Sequence, residues 1–293
     1  MSSEWGTNPA TYDPVAVAKT LDRMGVVFGP GRWFRVTTAG MTNLPPSPSL
    51  VVMNHSGGTS IPDVWGWLYA WYNREGVERP LHPLGHDMIF QTGTTGRYFA
   101  SRGLLRARRE VALAALRDHG RDVLVFPGGD LDTWRRYGQR YKVSFGGRKG
   151  YARLAIRAGV PIVPVAHAGA HETLVVLSGG RRFARTVHLR QLVRANIWPI
   201  HLSLPWGLAI GPWPHLPPPM RLRYRVAAPI DVGPKDDNPD EARVAELDRR
   251  VQAAMQAELD VLAAERAAPL ERLRDGLRTA FTGRVRGSDK AAR

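Results

Sequence analysis

Three short apolar runs, Ser49–Asn54, Asp122–Phe126 and Val160–Val165, each lead into an unusual loop. The loops are His55-Ser-Gly-Gly, Pro127-Gly-Gly and His167-Ala-Gly-Ala-His-Glu172. The runs read as buried strands, and segments with helical spacing lie between them. That alternation predicts an α/β fold with a largely parallel central sheet flanked by helices. In open α/β sheets the ligand crevice lies at the carboxyl ends of the strands. One site built from these three loops is therefore expected.

The helical segments are Pro14–Met24, Ile61–Tyr72, Leu104–His119 and Lys149–Ala158, with glycines at 25, 120 and 159 as stops. Pro62 and Asp63 are ordinary chemistry for a helix start. Pro80–Gly85 and Arg221–Val226 are expected as edge strands, the first because it contains Pro80 and Pro83. A long amphipathic C-terminal helix is expected over Asp240–Arg266, followed by a loose basic tail.

The first loop carries the sharpest chemistry. An imidazole, His55, stands at the mouth of the sheet, and a carboxylate, Asp63, follows after a glycine-rich turn. A His held by an Asp can take a proton from an alcohol as that alcohol attacks an acyl group. Gly57, Gly58 and Pro62 permit a compact turn, so Asp63 is expected to reach the His55 ring from the start of the following helix. Glycines at 128 and 129, after Pro127, can bring backbone N–H groups close to a developing oxyanion.

Other chemistries find less support. There is no Cys, hence no thiolate metal site and no Cys nucleophile. No Gly-x-Ser-x-Gly elbow or Walker A loop occurs. His167 and His171 are four apart, but Gly169 argues against the helix that zinc spacing would need, and no metal is expected. The formal net charge is +15, concentrated in residues 97–157 and in 181–194, where five Arg stand without an acid. Such a field suits an anionic partner. No RNA- or DNA-binding motif is present, so nucleic acid is not the expected one.

Taken together, the blocks resemble the glycerolipid and lysophospholipid acyltransferases, the lysophosphatidate acyltransferase-like superfamily, and within it the monoacylglycerol/diacylglycerol acyltransferase branch. Asn54-His55-Ser-Gly-Gly resembles the first block. Gly96-Arg-Tyr-Phe-Ala-Ser-Arg102 has the spacing of the second, and Phe126-Pro-Gly-Gly129 resembles the Pro-Gly-Gly block. Arg148–Val165, running on to Gly169 and Glu172, is the strongest match. Gly207-Leu-Ala-Ile-Gly and Pro229-Ile230 resemble a later Gly/Pro-rich block. Two departures stand out. The seven residues between His55 and Asp63 exceed the usual spacing, and Gly128-Gly-Asp-Leu131 replaces the common Glu-Gly-Thr-Arg.

The resemblance implies transfer of a fatty acyl group from acyl-CoA or acyl carrier protein, as co-substrate, to a lipid hydroxyl, with no resident cofactor. His55 would be the general base and Asp63 its orienter. Asn54, Gly57, Arg102, Pro127, Gly128, Gly129, Lys149 and Glu172 would bind substrate. The departure at residues 128–131 points away from a lysophosphatidate acceptor and toward neutral glycerolipids or lysolipids with larger head groups. The long His–Asp spacing prompts an alternative, a non-catalytic lipid or acyl-CoA binding protein on the same fold. The implied organisation is an N-terminal helical, membrane-proximal segment (1–44), an acyltransferase domain (45–232) and a C-terminal helix with its tail (233–293).

A lipid acceptor lies in a bilayer, yet residues 195–220, uncharged throughout, contain seven prolines that forbid a regular spanning helix. The opening residues, Met1-Ser-Ser-Glu-Trp, carry no basic or apolar run, so a secretory signal is not expected. Peripheral attachment at the cytoplasmic face is expected. Arg181, Arg182, Arg185, Arg190 and Arg194 would meet anionic head groups on a surface helix, and Trp198, Trp206 and Trp213 would sit at head-group level.

Overall fold

The structure, a computed structural model, describes residues 4–180, 186 and 197–288, with side chains described to residue 267. The five arginines expected to form the basic surface helix, Arg181, Arg182, Arg185, Arg190 and Arg194, lie outside the described residues.

The centre is a seven-stranded sheet of β1 (Phe34–Ala39), β2 (Leu50–Met53), β3 (Leu81–Gly85), β4 (Leu105–Arg106), β5 (Asp122–Val125), β6 (Ile162–Ala168) and β10 (Met220–Val226). Their spatial order is β1-β10-β6-β2-β5-β3-β4. The five strands from β6 to β4 are mutually parallel; β10 runs antiparallel to β6 and parallel to β1. The α-helices bounded within the described residues are α1 (Pro14–Met24), α2 (Pro62–Glu75), α3 (Gly93–Ala100), α4 (Arg109–Arg117), α5 (Gly129–Thr133), α6 (Gly150–Ala158) and α7 (Glu241–Ser288). A smaller antiparallel sheet holds β7 (Val175–Ser178), β8 (Ile200–Ser203) and β9 (Gly207–Ile210).

Strand β2 shows why its residues read as one apolar run. Leu50 and Val52 face a core built with α4, α6 and α7, while Val51 and Met53 face a second core containing Trp67 and Trp71 of α2. A parallel strand covered on both sides has no solvated face to alternate with. Helix boundaries follow local chemistry. Asp13 caps α1, its Oδ1 accepting from the N–H groups of Val15 and Ala16, with Pro14 at the first position. Gly159 closes α6 in the left-handed conformation at φ +69°.

Several boundaries differ from expectation. Arg221–Val226 is an inner strand, held between β1 and β6. β1 lies upstream of residue 45, so the sheet cuts across the expected domain boundary. Its weakly alternating burial gave little local signal, and its partner β10 is far along the chain. The C-terminal helix is likewise part of the core, burying Val244, Leu247, Val251, Met255, Leu259 and Leu262, and it runs on to Ser288. β3 is inner too. Pro83 is tolerated because β4 pairs only with Leu84 and Gly85 and leaves the upstream side of β3 open. Leu104–His119 is no single helix. Leu105–Arg106 forms β4, where the buried Arg106 guanidinium pairs with Asp87 at 3.0 Å and lies over the Phe90 ring.

Helix α2 must approach the sheet closely to place Asp63. A Cβ at Gly66 would stand 2.4 Å from Tyr224 Oη, whose O–H donates to the Asp63 carbonyl at 2.8 Å. Gly66→Ala should therefore destabilise the protein by about 1–3 kcal/mol. Adding Tyr224→Phe should recover part of that loss, since the clashing oxygen is gone. Denaturant unfolding of the two variants checks this, and no recovery in the double variant would mean that the clash lies elsewhere.

Candidate functional site

The three loops meet at the carboxyl ends of β2, β5 and β6. Asn54, 1% exposed, makes the junction. Its side-chain amide donates to the His167 carbonyl at 3.0 Å and accepts from the His167 N–H at 2.8 Å. The side chain thus extends the β2–β6 ladder by one rung and sets the point where His55 leaves the sheet.

The connection from His55 to Asp63 folds back on itself. Gly57 has φ +94°, and a Cβ there would stand 2.6 Å from Pro62 Cδ. Ile61 has φ +40°, a strained value for a β-branched residue, immediately before α2 begins. This return brings Asp63 Oδ2 to 2.6 Å from His55 Nδ1. The same oxygen accepts from the Ser56 N–H at 3.0 Å. An ionised carboxylate only accepts, so Nδ1 carries the proton and Nε2 is left with its lone pair.

Electrostatics follow from burial and pairing. Burial opposes charge on both members, but each partner outweighs it. The His55 imidazole is raised above its ordinary value of 6.5 by Asp63, and the Asp63 carboxyl is held below its ordinary range by His55. The first turn of α2 adds a favourable dipole at Asp63. The His55 ring lies on Phe126, with ring centroids 4.5 Å apart.

Two neighbours complete the support. His167 Nε2 shares a proton with Ser56 Oγ at 2.7 Å, and burial pushes its own pKa down to about 4, so it is a neutral partner. Asp132, 1% exposed, accepts from the His55 backbone N–H at 2.6 Å and pairs with the buried Arg135 guanidinium at 2.7 Å. Burial raises the Asp132 carboxyl above its usual range against the pull of Arg135. Sequence reasoning singled out none of Ser56, His167, Asp132 or Arg135 for this role. An acid three residues beyond the Pro-Gly-Gly turn was the available signal for Asp132.

The Pro127–Gly129 loop stands at the site, and its Gly129 is used differently from expectation. The Gly129 N–H donates to the Phe126 carbonyl at 3.0 Å, which closes the turn and removes it as an oxyanion donor. A Cβ on Gly128 would stand 2.4 Å from Asp132 Cβ, so this glycine lets Asp132 reach His55. Arg148 ties the loop down, donating to the Gly128 carbonyl at 2.9 Å and pairing with Asp130 at 2.9 Å.

Three expected substrate contacts are placed elsewhere. Arg102 bonds Thr20 Oγ1 at 2.9 Å and lies over the Tyr98 ring at 3.6 Å. It stands at the edge of an apolar chamber of about 140 Å³ that also takes in Ile61, Trp65 and Leu68. Lys149 is exposed at the start of α6. The Glu172 carboxylate accepts from the Tyr141 hydroxyl at 2.8 Å and pairs with Arg266 of α7 at 3.0 Å. It fastens the β6 loop to the C-terminal helix instead of facing His55. Trp198 is partly buried, whereas Trp206 and Trp213 are more than half exposed.

An acyltransferase family model matches residues 35–168, which contain the His–Asp pair and the Pro-Gly-Gly loop. An uncharacterized protein of Mycobacterium tuberculosis is 28% identical over 187 residues, 61% of this chain and 52% of that protein. A Gallus gallus protein described as a DGAT1/2-independent enzyme synthesizing storage lipids is 27% identical over 230 residues, 78% of this chain and 60% of that one. The chain spans about half the length of the mycobacterial relatives it matches. Among solved structures, the 1-acyl-sn-glycerophosphate acyltransferase PlsC of Thermotoga maritima is 18% identical, covering 86% of this chain and 78% of that one with a TM-score of 0.47.

Proposed function

We propose that the chain is a member of the glycerolipid acyltransferase superfamily and that it moves a fatty acyl group from an acyl thioester, acyl-CoA or acyl carrier protein, to a hydroxyl of a glycerolipid or lysophospholipid at the cytoplasmic face of a membrane. One observation carries the reading: His55 Nδ1 bound to buried Asp63 at 2.6 Å, which leaves Nε2 as the base.

In the proposed step, His55 Nε2 takes the acceptor proton as the hydroxyl oxygen attacks the thioester carbonyl carbon. A C–O bond forms, and the carbonyl electrons move onto oxygen. Collapse of that oxyanion breaks the C–S bond, and the imidazolium returns the proton to the departing thiolate. Asp63 fixes the tautomer and steadies the cation formed midway. Asp132, Ser56 and His167 act through His55 and Asp63 as positioning residues.

The Gly128-Gly-Asp-Leu131 sequence supports an acceptor without a bare phosphate. The cation at 131 in the common block is missing, and the nearby Arg135 and Arg148 are paired with Asp132 and Asp130. The storage-lipid enzyme among the relatives supports the same preference. Purified protein should be offered acyl-CoA and acyl carrier protein donors against monoacylglycerol, diacylglycerol and a series of lysophospholipids. Transfer to none of them would refute the reading.

A pH profile tests the assignment of the base. His55 must be neutral to act, and Asp63 raises its pKa above 6.5. Activity, as kcat/KM, should therefore climb with pH and reach half its plateau above that value. In Asp63→Asn the burial that opposes charge is left, so the limb should shift to lower pH while the plateau falls about a hundredfold or more. A limb that stays in place would assign it to another group.

A further inference from the structure

The small sheet is apolar on the side that faces solvent. Its register places Val176, His201 and Ala209 in one cross-strand row, all buried against the main body. The neighbouring row, Val175, Leu202 and Leu208, points the other way, as do Ile200 and Ile210. Leu202 is 43% exposed, Leu208 63% and Ile210 58%. A solvated sheet face ordinarily carries polar side chains on its outward positions. Here Leu177, Leu204, Trp206, Trp213 and Leu216 extend the exposed apolar surface, and no charge occurs anywhere from 195 to 220.

The two exposed tryptophans are built for an interface. Their rings stand 6.2 Å apart. The Trp206 indole N–H donates to the Pro214 carbonyl at 2.6 Å, and that of Trp213 to the Ile210 carbonyl at 2.9 Å. Neither ring needs water for its donor, so both can leave the aqueous phase. The segment that follows β9 is also stitched to the catalytic turn. Thr59 Oγ donates to the Pro212 carbonyl at 2.9 Å and Ser60 Oγ to the His215 carbonyl at 2.7 Å, within the return that joins His55 to Asp63.

We infer that the outer face of β7–β9, with Trp206 and Trp213, inserts into the head-group region of an anionic bilayer and so sets the mouth of the His55 site at the lipid surface. The choice of a bilayer rests on the proposed transfer to a lipid. It is supported by complementarity of charge, because the uncharged strip follows a sequence with five Arg and no acid at 181–194. Apolar burial is thus delivered by a β-sheet, and among the described residues no helix is long and apolar enough to cross a membrane.

The absence of Cys makes a direct test possible. Single Leu208→Cys, Ile210→Cys and His119→Cys substitutions in the full chain take an environment-sensitive fluorophore; His119 is exposed just before β5, at the end of the sheet opposite the His55 loops. Vesicles of phosphatidylcholine and phosphatidylglycerol at about 3:1 serve as the probe. The labels at 208 and 210 should shift to shorter wavelength and be quenched by a lipid-borne quencher, and the label at 119 should do neither. Leu202→Ser/Leu208→Ser/Ile210→Ser should weaken vesicle partition on the order of a hundredfold, with transfer to a water-soluble short-chain acceptor unchanged.

Unshifted emission at 208 and 210 with vesicles would overturn the inference. So would a shift that appears without vesicles as the protein dimerises, because the face would then close on a second copy. Loss of transfer to the soluble acceptor in the triple variant would also overturn it, since the strip would be acting on the site itself. A wild-type protein that transfers no acyl group to any acceptor would instead sink the acyl-transfer reading and leave the labelling result standing.

Discussion

His55→Ala should lower acyl transfer by about 10²–10⁴-fold, the range lost when a positioned general base is removed. The fold should survive, because His55 lies in a loop and its backbone anchors are independent of the ring. Its N–H still reaches Asp132, and Asn54 still clamps β2 to β6. The alanine variant strips the buried Asp63 of its ring N–H donor, so His55→Gln, which keeps a donor near the carboxylate, is the companion. Both variants should bind a non-transferable acyl donor analogue with affinity close to that of the wild type. Unchanged turnover in both would falsify catalysis by this pair and favour the binding-protein alternative. That alternative drew on the long spacing between His55 and Asp63. The tight return through Gly57 and Ile61 absorbs the extra residues, so the spacing no longer speaks for it.

Asp132→Ala carries the largest expected effect on stability, about 3–5 kcal/mol, because it leaves a buried guanidinium without its partner. Arg135 is 6% exposed and has Asp132 as its carboxylate at 2.7 Å. The His55 N–H also loses its acceptor, which adds the cost of an unmade buried hydrogen bond. Asp132→Asn keeps an acceptor for that N–H and should lose less. Asp132→Ala/Arg135→Leu removes both charges and should recover part of the loss. Denaturant unfolding measures all three. An alanine variant as stable as the wild type would show that the pair is not holding the loop. Activity should fall more steeply than stability in Asp132→Asn, since a small displacement of His55 from its reactants is costly to the rate.

Much of this protein was legible because its signals are local. The apolar runs before residues 54, 126 and 166 are strands covered on both faces, and their composition alone says so. The loops behind them fall at one end of the sheet, as parallel strands require. The His–Asp pair was legible for the same reason: its members are eight positions apart, and glycines with positive φ close the turn between them.

What only the tertiary structure decided involves partners distant in the chain. Asp132 reaches His55 across 77 positions, and Asn54 meets His167 across 113. Glu172 was read as a substrate contact, yet its carboxylate is taken up by Tyr141 and Arg266. Arg221–Val226 was read as an edge because alternation along one strand does not reveal what pairs on either side. Periodicity and turn chemistry act over a few residues and are written in the order of the chain. Hydrogen-bond pairing and charge compensation are settled by which segments the two cores bring together, and that information is spread over the whole sequence at once.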